Sequence, residues 1–327
     1  MSGEAVIVID VQGCFLPGGA LACVNAARNT EFGSYKALPV SIGKFINKIN
    51  PEHLFLTKDF HPEGHTSFLT EAEKAQGMMT FPEAAGKGEY AKGMNVGRYQ
   101  GREHGSPRSW GKEEDRYTQK LWPPHCVQGS PDADIAPELL ETLTEENREK
   151  AVTILKGDDP TIDSYSVVAD ALGNPTAHDE QGKIFLSILN ESQIKKVYIA
   201  GIARDVCVYW SALDLLNYWI IPEFKKGNVI KLVFMYDLTR PVFAGNFPYT
   251  DINPEAIVDD VKALVQKMGL GPEVVDQVFE MRMGGYAAVG GRRKSRRNGR
   301  KGGRKSRSRR GRGRVCRKNH THSRSCW

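Results

Sequence analysis

The chain alternates short apolar runs with stretches of helical period. Residues 5–9, 53–56, 151–155, 197–200 and 229–235 are mostly apolar, and all but 53–56 include β-branched side chains, as buried strands do. Between them apolar residues recur at spacings of three and four. Ile42, Phe45, Ile46 and Ile49 form one such set, Val206, Trp210, Leu213 and Leu216 a second, and Ile257, Val261, Leu264 and Val265 a third. These spacings predict helices over 40–49, from 205 onward and over 256–268. Shorter helices are expected over 137–144 and 181–189. Strands alternating with helices imply a parallel sheet with helices on both faces.

The run at 197–200 leads into Gly201-Ile202-Ala203-Arg204-Asp205-Val206-Cys207. Small residues let the backbone turn sharply, and a helix then starts with a cysteine in its first turn. Free N–H groups and partial positive charge at a helix N-terminus favour a thiolate and can hold a developing oxyanion. A small buried cysteine that fills space fits the same pattern.

Other strand ends carry chemistry as well. The first run ends in Asp10, followed by a loop with Phe15; a cap or turn aspartate is the plainer reading. The third ends in Lys156-Gly157, with Asp163-Ser164-Tyr165-Ser166 close behind. In an open α/β sheet the carboxyl ends of neighbouring strands face one crevice, so acid, lysine and thiol would converge there. Asp59, His61 and His65 follow the second run, and carboxylate with imidazole suits Zn, Fe or Mn. Pro123 and Pro124 stiffen the loop before His125, a further candidate ligand beside Trp122. Cys126 reads as a packed thiol.

Residues 70–120 show no sustained period and read as an insertion or lid. The chain has 327 residues, is 40% hydrophobic and carries a net charge of +6. That charge is unevenly spread. Residues 291–327 hold seventeen Lys and Arg and no acid, which leaves 28 basic against 39 acidic groups, a net of −11, in residues 1–290. A Gly/Ser/Arg-rich stretch cannot form a core and is expected to be disordered over 286–327. Its charge suits nucleic acid or another polyanion. No apolar run reaches the roughly 20 residues of a membrane span, and no secretory signal precedes the first strand. An intracellular, cytoplasmic setting is expected, or a nuclear one through the tail, with the six cysteines as free thiols.

The motifs VIDVQGCF, TKDFHPEGHTSF, WPPHCVQG, KGDDPTIDSYS and GIARDVCV together resemble the nicotinamidases of the isochorismatase-like cysteine hydrolases. The resemblance covers residues 4–270 less the segment between Phe68 and Leu121. It implies a three-layer α/β/α domain over 1–285 with a parallel sheet of about six strands. It further implies a triad of Asp10, Lys156 and Cys207, and an oxyanion hole from the N–H groups of Ala203 and Cys207 after a cis peptide. A divalent metal, zinc ahead of iron or manganese, is implied on Asp59, His61 and His125, with His65 as a further ligand in some members. Phe15, Trp122 and Tyr165 are placed against the substrate, a small amide with nicotinamide foremost. The turn departs from the usual A-T-D-Y-C of that family at Arg204 and Val206. Hydrolysis of another small amide stays open, as does an idle hydrolase fold that binds nucleic acid, and so does homo-oligomerisation.

Overall fold

Strands β1 (Glu4–Ile9), β2 (His53–Asp59), β3 (Ala151–Lys156), β4 (His178–Asp179), β5 (Lys196–Ile202), β6 (Lys231–Arg240) and β7 (Phe279–Arg282) form one sheet in the order β4-β3-β2-β1-β5-β6-β7. The computed structural model describes residues 3–23, 37–80, 82–83, 119–242 and 253–283. These belong to one unit, Met1–Tyr286; the second, Ala287–Trp327, which contains almost all of the basic tail, lies outside the described residues. Every pairing is parallel except that of β4, which runs antiparallel along the edge of β3. Six parallel strands therefore agree with the expected sheet, and a two-residue edge strand is added to it.

Alternation along the strands feeds two cores. Ala5, Ile7 and Ile9 of β1 pack in one core with helix residues Val208, Leu213, Ile257 and Leu264. Val6 and Val8 face the other, with Ile42, Phe45, Ile46 and Leu139. Side chains on a strand point to opposite faces in turn, so β1 is apolar almost throughout because both of its faces are covered. The helices supplying these residues are α1 (Ala37–Ile49), α2 (Pro137–Thr142), α3 (Phe185–Glu191), α4 (Cys207–Asp214) and α5 (Pro254–Lys267). Of these, α3, α4 and α5 cover one face, and α1 and α2 the other. The result is the three-layer arrangement read from the sequence. Burying each large aliphatic side chain contributes roughly 1.5–3 kcal/mol.

Three boundaries differ from the expectation. Helix α3 starts at Phe185 rather than 181, because the Asp179 carboxylate accepts the N–H groups of Gln181 and Lys183 and holds 179–183 as a turn. The strand expected over 229–235 starts at Lys231 and runs on to Arg240. Strand β7 was not anticipated. Within the expected insertion, a short helix Glu71–Ala75 starts from a capping box in which Thr70 and Glu73 satisfy each other's backbone N–H groups. Residues 84–118 of that insertion lie outside the described residues.

The cysteine expectation is overturned. Cys14 and Cys126 form a disulfide with Cα atoms 5.4 Å apart, whereas Cys23 and Cys207 are free and buried. The partners lie 112 residues apart in sequence, and pairing over such a distance is not encoded in spacing. The bridge also removes the thiol-based ground for a reducing compartment. Among the described residues no helix is long and apolar enough to cross a membrane.

Strand order changes direction at β1. From there the chain builds outward through β2 and β3, then returns to the other side of β1 with β5. Ligands of open α/β sheets bind at the carboxyl ends beside such a reversal. Gly201 makes the close approach there possible. Its φ is 122°, and a Cβ would collide with the backbone of Ile9 in β1. Gly201→Ala is expected to lower stability by about 3 kcal/mol, through a forbidden backbone angle together with this overlap. Chemical denaturation checks it, and an unchanged midpoint would refute the packing argument.

Candidate active site

Register brings the first two groups together. Asp59 and Lys156 are paired residues at the ends of β2 and β3, so their side chains emerge side by side. The Lys156 ammonium lies 2.9 Å from Asp59 Oδ1 and donates to the Ser164 carbonyl at 3.1 Å. It also lies 2.9 Å from Asp10 Oδ2, an ion pair rather than an aligned hydrogen bond. Asp10 follows β1 with φ at 48°, in the left-handed region. The Thr57 hydroxyl donates to Asp10 Oδ1 at 2.5 Å, and the Asp10 N–H donates to Thr57 Oγ1 at 3.0 Å.

The turn after β5 brings in the sulfur. The peptide between Ile202 and Ala203 is cis. The Ala203 carbonyl accepts the N–H groups of Val206 and Val208 and closes the turn, so Cys207 begins α4. Its Sγ is 3.7 Å from Lys156 Nζ. Asp10, Lys156 and Cys207, from three distant segments, therefore share one buried contact centred on the ammonium.

Charge balance decides the protonation of these groups. Burial alone would lower Lys156, but Asp10 and Asp59 outweigh it and hold the ammonium well above its ordinary value. Burial raises Asp10 against the opposing pull of Lys156, and Asp59 adds to the rise. Burial also raises Asp59, yet His61 and Lys156 prevail and keep it well below the usual carboxylate range. Burial pushes the Cys207 thiol far up; Lys156 opposes this, but Asp10 and Asp59 reinforce it. Two carboxylates thus compete with the sulfur for the one ammonium.

On the other side of Asp59, Oδ2 meets two imidazoles: His61 Nε2 at 3.0 Å and His125 Nε2 at 3.4 Å. The remaining ring nitrogens are held by backbone carbonyls, His61 Nδ1 by Gly157 and His125 Nδ1 by Pro123, each at 2.8 Å. Orientation of histidine through its second nitrogen is the usual arrangement around a metal. The donor set of one carboxylate and two imidazoles thus fits a divalent cation. His65 is placed differently. Its ring stacks on His61 with centroids 4.1 Å apart, Nδ1 meets Ser67 Oγ at 2.8 Å, and Nε2 lies 3.3 Å from the Ile162 carbonyl. Burial and the neighbouring His61 push its pKa down to about 4.

A small pocket opens over these groups. Phe15, Trp122 and Tyr165 line it with Ala203, Val206 and Cys207. The Trp122 indole N–H donates to the Tyr165 hydroxyl at 3.0 Å. Arg204 stacks on the Tyr236 ring at 3.9 Å.

Two supporting residues escaped the sequence reading. Thr57 holds Asp10, and its i, i+2 spacing from Asp59 on a strand was the available signal. Gln12 accepts the Asp59 N–H and donates to the Asp59 and Ala133 carbonyls, clamping the end of β2. Nothing in its spacing announced that.

Fold and cleft together define the class, a three-layer α/β protein whose strand ends gather a cysteine, a lysine and two carboxylates in one cleft. No protein-family model matches the chain. It is similar to the nicotinamidase of Acinetobacter baylyi, 31% identical over 230 residues that cover 68% of this chain and 81% of that protein. It is also similar to the nicotinamidase of Schizosaccharomyces pombe, 28% identical over 230 residues covering 68% and 83%. Among solved structures, it is similar to a nicotinamidase/pyrazinamidase of Acinetobacter baumanii, 24% identical with a TM-score of 0.48 over 86% of this chain and 97% of that one. The chain belongs to the nicotinamidase family of isochorismatase-like hydrolases.

Lys156→Met is expected to cost about 3–5 kcal/mol at neutral pH, since it strands the buried Asp10 carboxylate and leaves Asp59 only its imidazole partners. Asp10 would then have a folded-state pKa above its unfolded one, so stability should recover as pH falls. Urea unfolding at pH 5 and pH 7.5 checks this; equal losses at both would refute the charge argument.

Proposed function

We propose that the protein hydrolyses nicotinamide to nicotinic acid and ammonia, as a step in the salvage of pyridine nucleotides. The observation that carries the reading is the Cys207 sulfur 3.7 Å from an ammonium that is itself 2.9 Å from Asp10. The family relationship supports the substrate class.

In this reading Asp10 takes the proton of the Cys207 thiol as sulfur bonds to the amide carbon. The raised pKa of Asp10 suits a group that must both accept and return a proton. The carbonyl oxygen becomes an oxyanion facing the N–H groups of Ala203 and Cys207, each such donor worth about 3–4 kcal/mol in a well-studied protease. Asp10 returns the proton to the leaving nitrogen, ammonia departs and a thioester remains. Water then adds to the thioester as Asp10 accepts its proton, and the acid leaves as sulfur regains that proton. Lys156 keeps its charge throughout and steadies Asp10 and the transient thiolate. Phe15, Trp122 and Tyr165 hold the flat ring.

Asp59, His61 and His125 would hold a divalent cation, zinc ahead of iron or manganese, which when bound supplies a Lewis acid for the ring nitrogen and for water. We assign His65 to the support of His61 rather than to the ligand set, because its ring nitrogens meet Ser67 Oγ and the Ile162 carbonyl and not the Asp59 carboxylate that the other two imidazoles share. The region 1–285 serves as the hydrolase domain in this reading. The tail, residues 286–327, serves as a polyanion tether.

Cys207→Ala is expected to abolish ammonia release from nicotinamide while thermal unfolding stays cooperative; turnover at the wild-type rate would rule out the thioester. Because Val206 lines the cavity where the family's turn has Tyr, the assay includes pyrazinamide and benzamide, and a preference for either would replace nicotinamide as the substrate. The full chain is expected to bind double-stranded DNA with an affinity that falls steeply with salt, log K against log[salt] having a slope of several units. Salt-independent binding, or none, would refute the tether.

A further inference from the structure

The disulfide runs beneath the candidate metal site. Cys126 follows His125 directly, and Cys14 directly precedes Phe15; both half-cystines are fully buried. The Phe15 and His125 rings lie 5.5 Å apart. The Cys126 carbonyl accepts the His61 N–H at 3.1 Å. One residue is thus tied to His61 through its backbone, to His125 through the chain and to Cys14 through sulfur. A further geometric fact gives this a chemical meaning. The Cys126 sulfur, an Asp59 oxygen and a His125 ring nitrogen all lie within 4.8 Å of one another, a spacing at which three atoms can share one cation. While the bridge is closed, that sulfur has no thiolate to offer.

We infer that the Cys14–Cys126 bridge withholds a thiolate from the metal site, and that opening it creates a second ligand set, Asp59, His125 and Cys126, with a taste for softer ions. The inference rests on the reading of Asp59 and His125 as metal ligands. Opening is a two-electron reduction. The Sγ–Sγ bond breaks, two S–H bonds form, and a dithiol supplies both electrons and both protons and leaves as its own disulfide. Cys126 then releases its proton on meeting the cation. Closed, the cleft offers oxygen and nitrogen donors, which suit Mn, Fe or Zn. Opened, it gains sulfur, which shifts preference toward Zn and Cd. Burial of both half-cystines shields the bridge, so small exposed thiols should open it slowly.

Cobalt(II) is the probe, because a thiolate ligand adds an intense near-ultraviolet charge-transfer band that nitrogen and oxygen ligands do not. Peptide mapping of the unreduced full chain is expected to recover Cys14 linked to Cys126. Cobalt bound to that protein should lack the band. Cys14→Ala should show it, Cys14→Ala with Cys126→Ser should lose it again, and the wild-type chain should acquire it after prolonged dithiothreitol treatment. The double variant separates Cys126 from the nearby Cys207 sulfur. Cobalt bound to Cys14→Ala without the band overturns the inference, as does a band that survives in the double variant. Should Cys14→Ala fail to fold, the dithiothreitol-treated wild type decides by the same criterion. A wild-type chain that binds no cobalt while Cys14→Ala binds it with the band would sink the oxygen and nitrogen site and leave the inference standing. Binding to neither form would sink both.

Discussion

Lys156 places an ammonium where water does not reach, and the cleft is arranged around making that tolerable. Moving such an ion out of water costs several kcal/mol unless opposite charge and hydrogen bonds replace its hydration. Two carboxylates and one carbonyl do so here, each about 3 Å away. The requirement fixes much else. Asp59 has to end β2 in register with Lys156 on β3, and Asp10 has to end β1 beside them. Strand order β3-β2-β1 is the arrangement that lets all three meet. A one-residue slip would turn every side chain to the opposite face and break the contact.

The same balance bears on the sulfur. One cation shared between two anions leaves little positive potential for a third group, and burial adds to the cost of a thiolate. A cysteine in this position depends on a neighbouring base, and in the proposed mechanism Asp10, which touches the same ammonium and has its pKa raised, is that base. The partial charge of the helix N-terminus competes there with full charges a few ångströms away.

Much of this was legible in the chain. Apolar runs at 5–9, 53–56, 151–155 and 197–200 were visible because strands buried on both faces carry few polar residues. Their ends stood out because acid, lysine and the glycine turn interrupt them. What stayed hidden was set by tertiary contact. Strand β4 is two residues long and exists only where β3 offers an edge. Strand β7 is four residues that pair with β6 after the last helix, and two of its members are charged. The register of Asp59 against Lys156 could not be read, so Asp59 looked like a metal ligand alone. The Cys14–Cys126 bridge joins loops that meet only after the sheet has formed.

Asp59 therefore has two duties, and they constrain each other. Oδ1 faces the ammonium and Oδ2 faces the imidazoles, with Gln12 clamping the backbone at both its N–H and its carbonyl. One side chain therefore joins the ammonium that touches the sulfur to the pair of imidazoles. The link follows from two strand ends in register and a side chain with two oxygens.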